Sequence, residues 1–270
     1  MRDYVLELAA KQNGMNAKLN TMREYLQAYI LRIMHEEGVF SSTAFIGGTA
    51  LRFLHNLPRY SQDLDFSLEK SKKLAFASLM KRIKDELSLA GYDVSITFND
   101  RRIVQSALVK FRRLMKDAGI SAFAEQNLVV KIEVDTNPPQ GAITETRVVN
   151  TYFPLSFLTY TKESLFAGKL HAVLSREYTK GRDFFDIGWY LSKWRGLSPN
   201  IVLLVNALKQ SGWKKAYPTE TTWRDIIYEA VQKVDWRKVK KDVENFLERP
   251  QDLDIFTKEN VLNLLKEHSG

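Results

Sequence analysis

The sequence predicts an α+β protein, with a mixed sheet and flanking helices in residues 1–198 followed by a helical C-terminal lobe in residues 199–270. Three observations predict it. Short segments near 43–46, 63–68, 93–98, 103–111 and 128–135 carry the apolar character or two-residue alternation of strands. Residues 22–37 and 74–90 place apolar side chains at helical spacing. Beyond Pro199 the helical period takes over, through 200–210, 221–234, 236–248 and 257–267, with no glycine-rich linker, internal repeat or low-complexity tract.

In chain order, the helix at 22–37 has apolar positions 22, 26, 29, 30, 33 and 34 and is expected to pack on the sheet. Residues 43–46 form a short apolar run that ends at Gly47-Gly48, and Thr49 to Leu54 reads as the first turns of a helix. A glycine pair at a strand-to-helix turn lets backbone amides approach phosphate oxygens, and the helix N-terminus adds a favourable dipole. By itself such a pair is more often only a turn. In Asp63-Leu64-Asp65-Phe66, alternation puts both aspartates on one strand face. Two neighbouring carboxylates repel unless a divalent cation bridges them or one stays protonated. With Arg52, Arg59 and Ser61 between the glycines and the aspartates, one side of the constellation suits a triphosphate and the other its metal.

The strand at 128–135 places Lys131, Glu133 and Asp135 on one face. A third carboxylate beside the aspartate pair would hold a second ion and deprotonate an attacking hydroxyl. Glu133 and Asp135 compete for that role, and Asp135 has an alternative use in the turn before Asn137-Pro138-Pro139. Residues 163–178 have helical spacing at 165, 166, 170, 173 and 174, with Thr161 as N-cap. Lys169 flanks that stripe and on sequence alone reads as a snorkelling surface residue; His171 reads as structural. Gly181 then breaks the helix, Asp183 suits the N-cap of the next, and Asp186 stands one turn in, able to bond Arg182 or Lys169 or to contact a nucleotide.

The stretch GGTALRFLHNLPRYSQDLDF resembles the first motif of the AbiEii/AbiGii toxin family, a branch of the polymerase-β-like nucleotidyltransferases. VKIEVDTNPP at 130–139 resembles its second motif, and TKESLFAGKLHAVLSREYTKGRDFFD at 161–186 its third and fourth. The resemblance covers roughly residues 25–195. It implies a polymerase-β-like core, an NTP co-substrate, Mg²⁺ (or Mn²⁺), a tRNA 3′ end as acceptor, and a cognate antitoxin in a type IV toxin-antitoxin pair acting in phage defence. It favours Glu133 as third carboxylate, makes Lys169 a phosphate-binding lysine, and makes Asp186 a site residue supported by Arg176, Arg182 and Asp183.

Composition frames this reading. With 44% hydrophobic and 27% charged residues, 270 residues suit one large core or two modest ones. The longest apolar runs are too short to span a bilayer, the N-terminus lacks the apolar core of a signal peptide, and zero cysteines exclude disulfides and thiolate metal sites, so a cytoplasmic protein without a membrane partner is expected. Net charge +8 favours an acidic partner, with basic clusters at 70–73, 81–84, 101–113 and 237–241 suiting an RNA acceptor. The expected site has Asp63, Asp65, Glu133, Lys169 and Asp186 as catalytic residues. Gly47, Gly48, Thr49, Arg52, Arg59, Ser61 and Lys131 bind the nucleotide, and Asp63, Asp65, Glu133 and Asp135 are candidate metal ligands. Two rivals are NMP transfer to a protein hydroxyl and a non-catalytic RNA-binding module.

Overall fold

The computed structural model describes residues 1–69 and 74–267; the basic cluster at 70–73 lies outside the described residues. The elements run α1 (Arg2–Ala10), α2 (Met15–Glu36), β1 (Thr43–Ile46), α3 (Gly47–His55), β2 (Asp63–Leu68), α4 (Phe76–Leu89), β3 (Val94–Asn99), β4 (Val104–Phe111), α5 (Leu114–Asp117), β5 (Leu128–Asp135), β6 (Thr144–Asn150), β7 (Pro154–Tyr160). Helices follow: α6 (Lys162–Ser175), α7 (Gly181–Lys193), α8 (Ile201–Gln210), α9 (Trp223–Lys233), α10 (Trp236–Val243), α11 (Asp252–Ile255) and α12 (Lys258–Lys266). The α+β expectation holds: a mixed seven-stranded sheet in the order β3-β4-β5-β2-β1-β7-β6 is accompanied by helices. Among the described residues, no helix is long and apolar enough to cross a membrane.

Packing divides the chain into two compact units. The first holds Met1–Asn56, Tyr60–Pro138 and Glu145–Thr159; the second holds Leu57–Arg59, Pro139–Thr144 and the chain from Tyr160 onward. The helices at 162–193, which the sequence reading groups with the sheet, therefore pack within the second unit.

In the first unit, β5 alternates strictly: Leu128, Val130, Ile132 and Val134 are buried while Val129, Lys131, Glu133 and Asp135 are partly exposed. The buried set meets Leu64 and Phe66 of β2, Phe45 of β1, and a helical layer from α2 (Leu26, Ile30, Met34) and α4 (Met80, Ile83) in one core. Each such side chain contributes roughly 1.5–3 kcal/mol on burial, so the core fixes which strand faces stay open. Helix α3 stops at Asn56, which takes the left-handed conformation (φ 59°, ψ 47°) and donates its N–H to the Leu51 carbonyl.

In the second unit, Thr161 caps α6 as the sequence predicts, its hydroxyl accepting from the Ser164 N–H. Phe166 of α6 stacks on Tyr190 of α7 at 4.5 Å and meets Trp223 of α9 edge-on at 5.6 Å. Helix α7 begins at Gly181 with Lys180 as N-cap, so Asp183 is not the cap that the sequence suggests but the third helical residue. A Cβ on Gly181 would fall 2.8 Å from the Val239 main chain, which is why glycine opens this helix against α10.

Candidate active site

Strand β2 lies between β1 and β5, antiparallel to the first and parallel to the second. Register sets Asp63 opposite Lys131 and Asp65 opposite Glu133. Directly paired residues share a sheet face, so the two aspartates, the lysine and the glutamate form one cluster. Lys131 Nζ lies 2.8 Å from Glu133 Oε1. Burial pushes the Lys131 ammonium down, but its hydrogen bond to Glu133 and the charges of Glu133, Asp63 and Asp65 outweigh that, and the group is held above its ordinary value.

The glycine turn meets this cluster through β1, where Ile46 pairs with Asp65. Gly47 has φ +79°, and a Cβ there would overlap the Asp65 carboxylate, 2.9 Å from its Cβ and Cγ. Only glycine fits at the start of α3. No side chain caps that helix, and Gly47, Gly48 and Thr49 form its first turn. Thr49 is fully buried and its hydroxyl donates to the Asp63 carbonyl, so the side chain fixes the start of β2 and leaves only its backbone to a ligand.

Arg52 is held by an acid that the sequence reading missed. Its Nε lies 2.6 Å from Glu24 Oε2, its guanidinium covers Tyr60 at 4.7 Å, and the Tyr152 hydroxyl donates to Glu24 Oε1 at 3.1 Å. Burial, followed by the Glu24 charge, pushes the Tyr152 phenol up and keeps it a donor. Ser61 is fixed by its backbone, where Gln27 Nε2 donates to its carbonyl at 3.2 Å. Asn20, Arg23, Glu24 and Gln27 form a polar stripe at helical spacing, which in sequence reads as a solvated face, yet all are buried in α2. Asp135 Oδ1 accepts from the Asn137 N–H at 2.9 Å, the turn contact that sequence allowed as its alternative.

The remaining candidates sit together in the second unit. Arg59, expected as a phosphate ligand, is instead 2% exposed and forks onto Asp186, with Nε–Oδ1 at 2.7 Å and Nη2–Oδ2 at 2.6 Å. The sequence reading has Arg59 binding the nucleotide; in the structure the edge of its guanidinium that carries Nε and Nη2 is taken up by a buried carboxylate. Asp186 is fully buried and also meets Lys169 Nζ at 2.7 Å, while Lys169 reaches Asp183 Oδ1 at 3.2 Å. Lys169 is therefore not a snorkelling lysine. Burial lowers its affinity for a proton, but Asp186 and Asp183 reverse that and raise it. For Asp183, burial pushes up, and the charges of Lys169 and Arg176 more than offset it, leaving the carboxyl depressed. Arg182 binds Asp242 through its N–H at 3.0 Å and lies over Phe246 at 4.3 Å, and His171 Nε2 meets Ser211 Oγ at 3.1 Å in a structural contact.

Among the described residues, no three acidic or histidine side chains converge closely enough to hold a metal ion. The donors nonetheless fit Mg²⁺, which is commonly bound by one or two carboxylates together with substrate phosphates and water. Asp63 and Asp65 supply such a pair on one face, whereas Glu133 is engaged by Lys131.

Comparison with known proteins identifies the family. The chain from 29 to 258 matches the family model described as nucleotidyl transferase AbiEii toxin, type IV TA system. Among solved structures, a protein from H. pylori described as a candidate nucleotidyltransferase superposes with a TM-score of 0.54 at 18% identity, covering 92% of this chain and 93% of that one. JHP933 from Helicobacter pylori matches over the same shares at 18% identity, with a TM-score of 0.45. At that identity the first likeness speaks to fold alone. No curated protein matches the sequence. The chain thus belongs to the AbiEii family of nucleotidyltransferase toxins of type IV toxin-antitoxin systems.

Proposed function

We propose that this nucleotidyltransferase moves an NMP unit from an NTP to the 3′ hydroxyl of an RNA, with tRNA as the acceptor. The observation that carries the reading is the registered cluster of Asp63, Asp65, Lys131 and Glu133 with the Gly47 turn packed against Asp65. The amides of Gly47, Gly48 and Thr49 at the start of α3 receive the triphosphate oxygens. Asp63 and Asp65 would hold Mg²⁺ or Mn²⁺, which when bound neutralises charge on the phosphates and on the departing pyrophosphate. Glu133 takes the proton of the acceptor hydroxyl as its oxygen attacks the α-phosphorus and the bond to pyrophosphate breaks. Lys131 orients Glu133 through their ion pair. Asp135 serves its turn.

In the second unit, Lys169 is engaged by Asp183 and Asp186, so the phosphate-binding role that the resemblance gives it falls in this reading to the amides of the Gly47 turn. The net charge of +8 favours a polyanionic acceptor. The family implies a cognate antitoxin, and the cytoplasm is where NTP, tRNA and antitoxin would meet the chain.

Incubation of purified protein with each labelled NTP, Mg²⁺ and total tRNA tests the proposal. Label on tRNA, missing from Asp65→Ala and from a chelated reaction, is the expected result. Label on protein would replace the acceptor with a protein hydroxyl. NTP and RNA binding without any transfer would leave a non-catalytic RNA-binding module.

A further inference from the structure

We infer that the outer face of β4 and β3, with the turn joining them, seats the last nucleotides of the acceptor as single-stranded RNA. This rests on the nucleotidyl-transfer reading above and adds where the acceptor lies. The observation is one of register. The row that holds Asp65 and Glu133 continues to Ser106 of β4 and Asn99 of β3, and the row of Asp63 and Lys131 continues to Leu108 and Thr97. Side chains paired across strands share a face, so the surface beside the carboxylates carries Leu108, Ser106, Thr97 and Asn99. Strands lie about 4.8 Å apart, so the rows run roughly 14 Å from β2 to β3.

This face is open. Leu108 is 36% exposed and Val104, opposite Asp135, is 41% exposed, whereas Ala107, Val109 and Phe111 on the other face are buried. Exposed apolar side chains interleaved with hydroxyls and an amide suit base faces together with base edges and 2′-hydroxyls.

The charge is placed to match. Arg101 and Arg102 stand exposed in the β3–β4 turn, and Lys110 lies on the outer face opposite Ser95. Among the described residues, none of these three has a carboxylate partner, unlike Arg112, which lies 3.6 Å from Asp93 Oδ1. The arginine turn is also pinned to the catalytic strand: the Ile103 carbonyl accepts from both the Thr136 N–H at 3.0 Å and its hydroxyl at 2.7 Å, one residue past Asp135. A polyanion that brings its terminal hydroxyl to three carboxylates needs cations nearby that are not already spent on carboxylates. Arg101, Arg102 and Lys110 meet that requirement.

The test is binding of a labelled single-stranded RNA oligonucleotide by fluorescence anisotropy over a salt series without NTP, followed by steady-state transfer to tRNA. The variants are Arg101→Ala/Arg102→Ala and Lys110→Ala, with Lys214→Ala/Lys215→Ala, exposed between α8 and α9 and outside the basic clusters, as the charge-matched control. The arginine pair variant is expected to weaken RNA binding roughly tenfold and to reduce the slope of log K against log salt by about 1.4, at about 0.7 per lost phosphate contact. The KM for RNA rises, the KM for NTP and the kcat stay put, and Arg101→Lys/Arg102→Lys restores most of the binding. An equal loss in the Lys214/Lys215 control, or unchanged RNA binding in the arginine pair variant, overturns the inference. Absence of transfer in the wild type, with RNA binding still governed by Arg101 and Arg102, sinks the nucleotidyl-transfer reading and leaves the RNA surface standing.

Discussion

Two lysine-carboxylate groups in this chain use the same chemistry in opposite surroundings. On the sheet, Lys131 and Glu133 keep 38% and 30% of their side chains exposed, and Asp63 and Asp65 stand beside them on a partly open face. In the helical unit, Lys169, Asp183 and Asp186 keep 11%, 4% and 0%, and their charges are spent on one another, on Arg59 and on Arg176. Carboxylates with access to water can exchange it for a metal or a reacting hydroxyl, whereas a carboxylate sealed against a guanidinium cannot without leaving a buried charge unpaired. Access, more than residue type, separates chemistry from architecture here.

The sharpest way to break that comparison is Asp65→Ala. Loss of kcat/KM on the order of 10³-fold or more is expected, because ligation of the catalytic ion is worth several kcal/mol, with the melting temperature nearly unchanged. Arg59→Ala should do the reverse and cost about 3–5 kcal/mol of stability in urea titrations, since it strands the buried Asp186. Replacing the pair together with apolar residues should recover much of that cost. A stable Arg59→Ala protein with abolished transfer would move Asp186 into the chemistry.

Gly47→Ala combines both effects. The left-handed backbone costs about 1–2 kcal/mol with a Cβ present, and the methyl group displaces the Asp65 carboxylate, so stability and transfer should fall together. Lys131→Met should change stability by less than about 1 kcal/mol while slowing transfer, as an exposed pair predicts. The smallest effect is in pH. The depressed Asp183 carboxyl contributes stability that is fully present above its unfolded value near ~3.9 and is lost as pH falls through its folded value. The raised Lys169 contributes below its unfolded value near ~10.4 and loses that contribution as pH rises through its folded value. Circular dichroism melts should therefore show these two contributions as a loss of stability below the first limit and above the second.

The strands of the site were legible because their faces differ. Alternation in DLDFSL and LVVKIEVD marks the buried side and thereby the open one, and the Gly-Gly turn announces itself by composition. Strands β6 and β7 were not read, although Leu155, Phe157 and Thr159 alternate, because β7 opens on a proline and β6 is an edge strand with mostly polar side chains. The fate of Arg59 was illegible for a different reason. Nothing local distinguishes an arginine that will meet phosphate from one that will meet a carboxylate 127 positions later. Glu24 was missed because a helical acid is ordinarily solvated, and only packing shows that it is covered.

That long reach of Arg59 has a consequence for how the chain is made and divided. Leu57–Arg59 belongs to the helical unit, where Pro58 accepts from the Glu248 N–H and Arg59 bridges to Leu247. At about 5–20 residues per second of synthesis, Arg59 emerges roughly 6 to 25 s before the aspartate it is destined to neutralise. The nascent sheet must hold that cation in water until the helices arrive. A fragment beginning at Tyr160 would carry Asp186 without its guanidinium, so splitting the chain at the visible end of the sheet removes from the helices a part they cannot supply themselves.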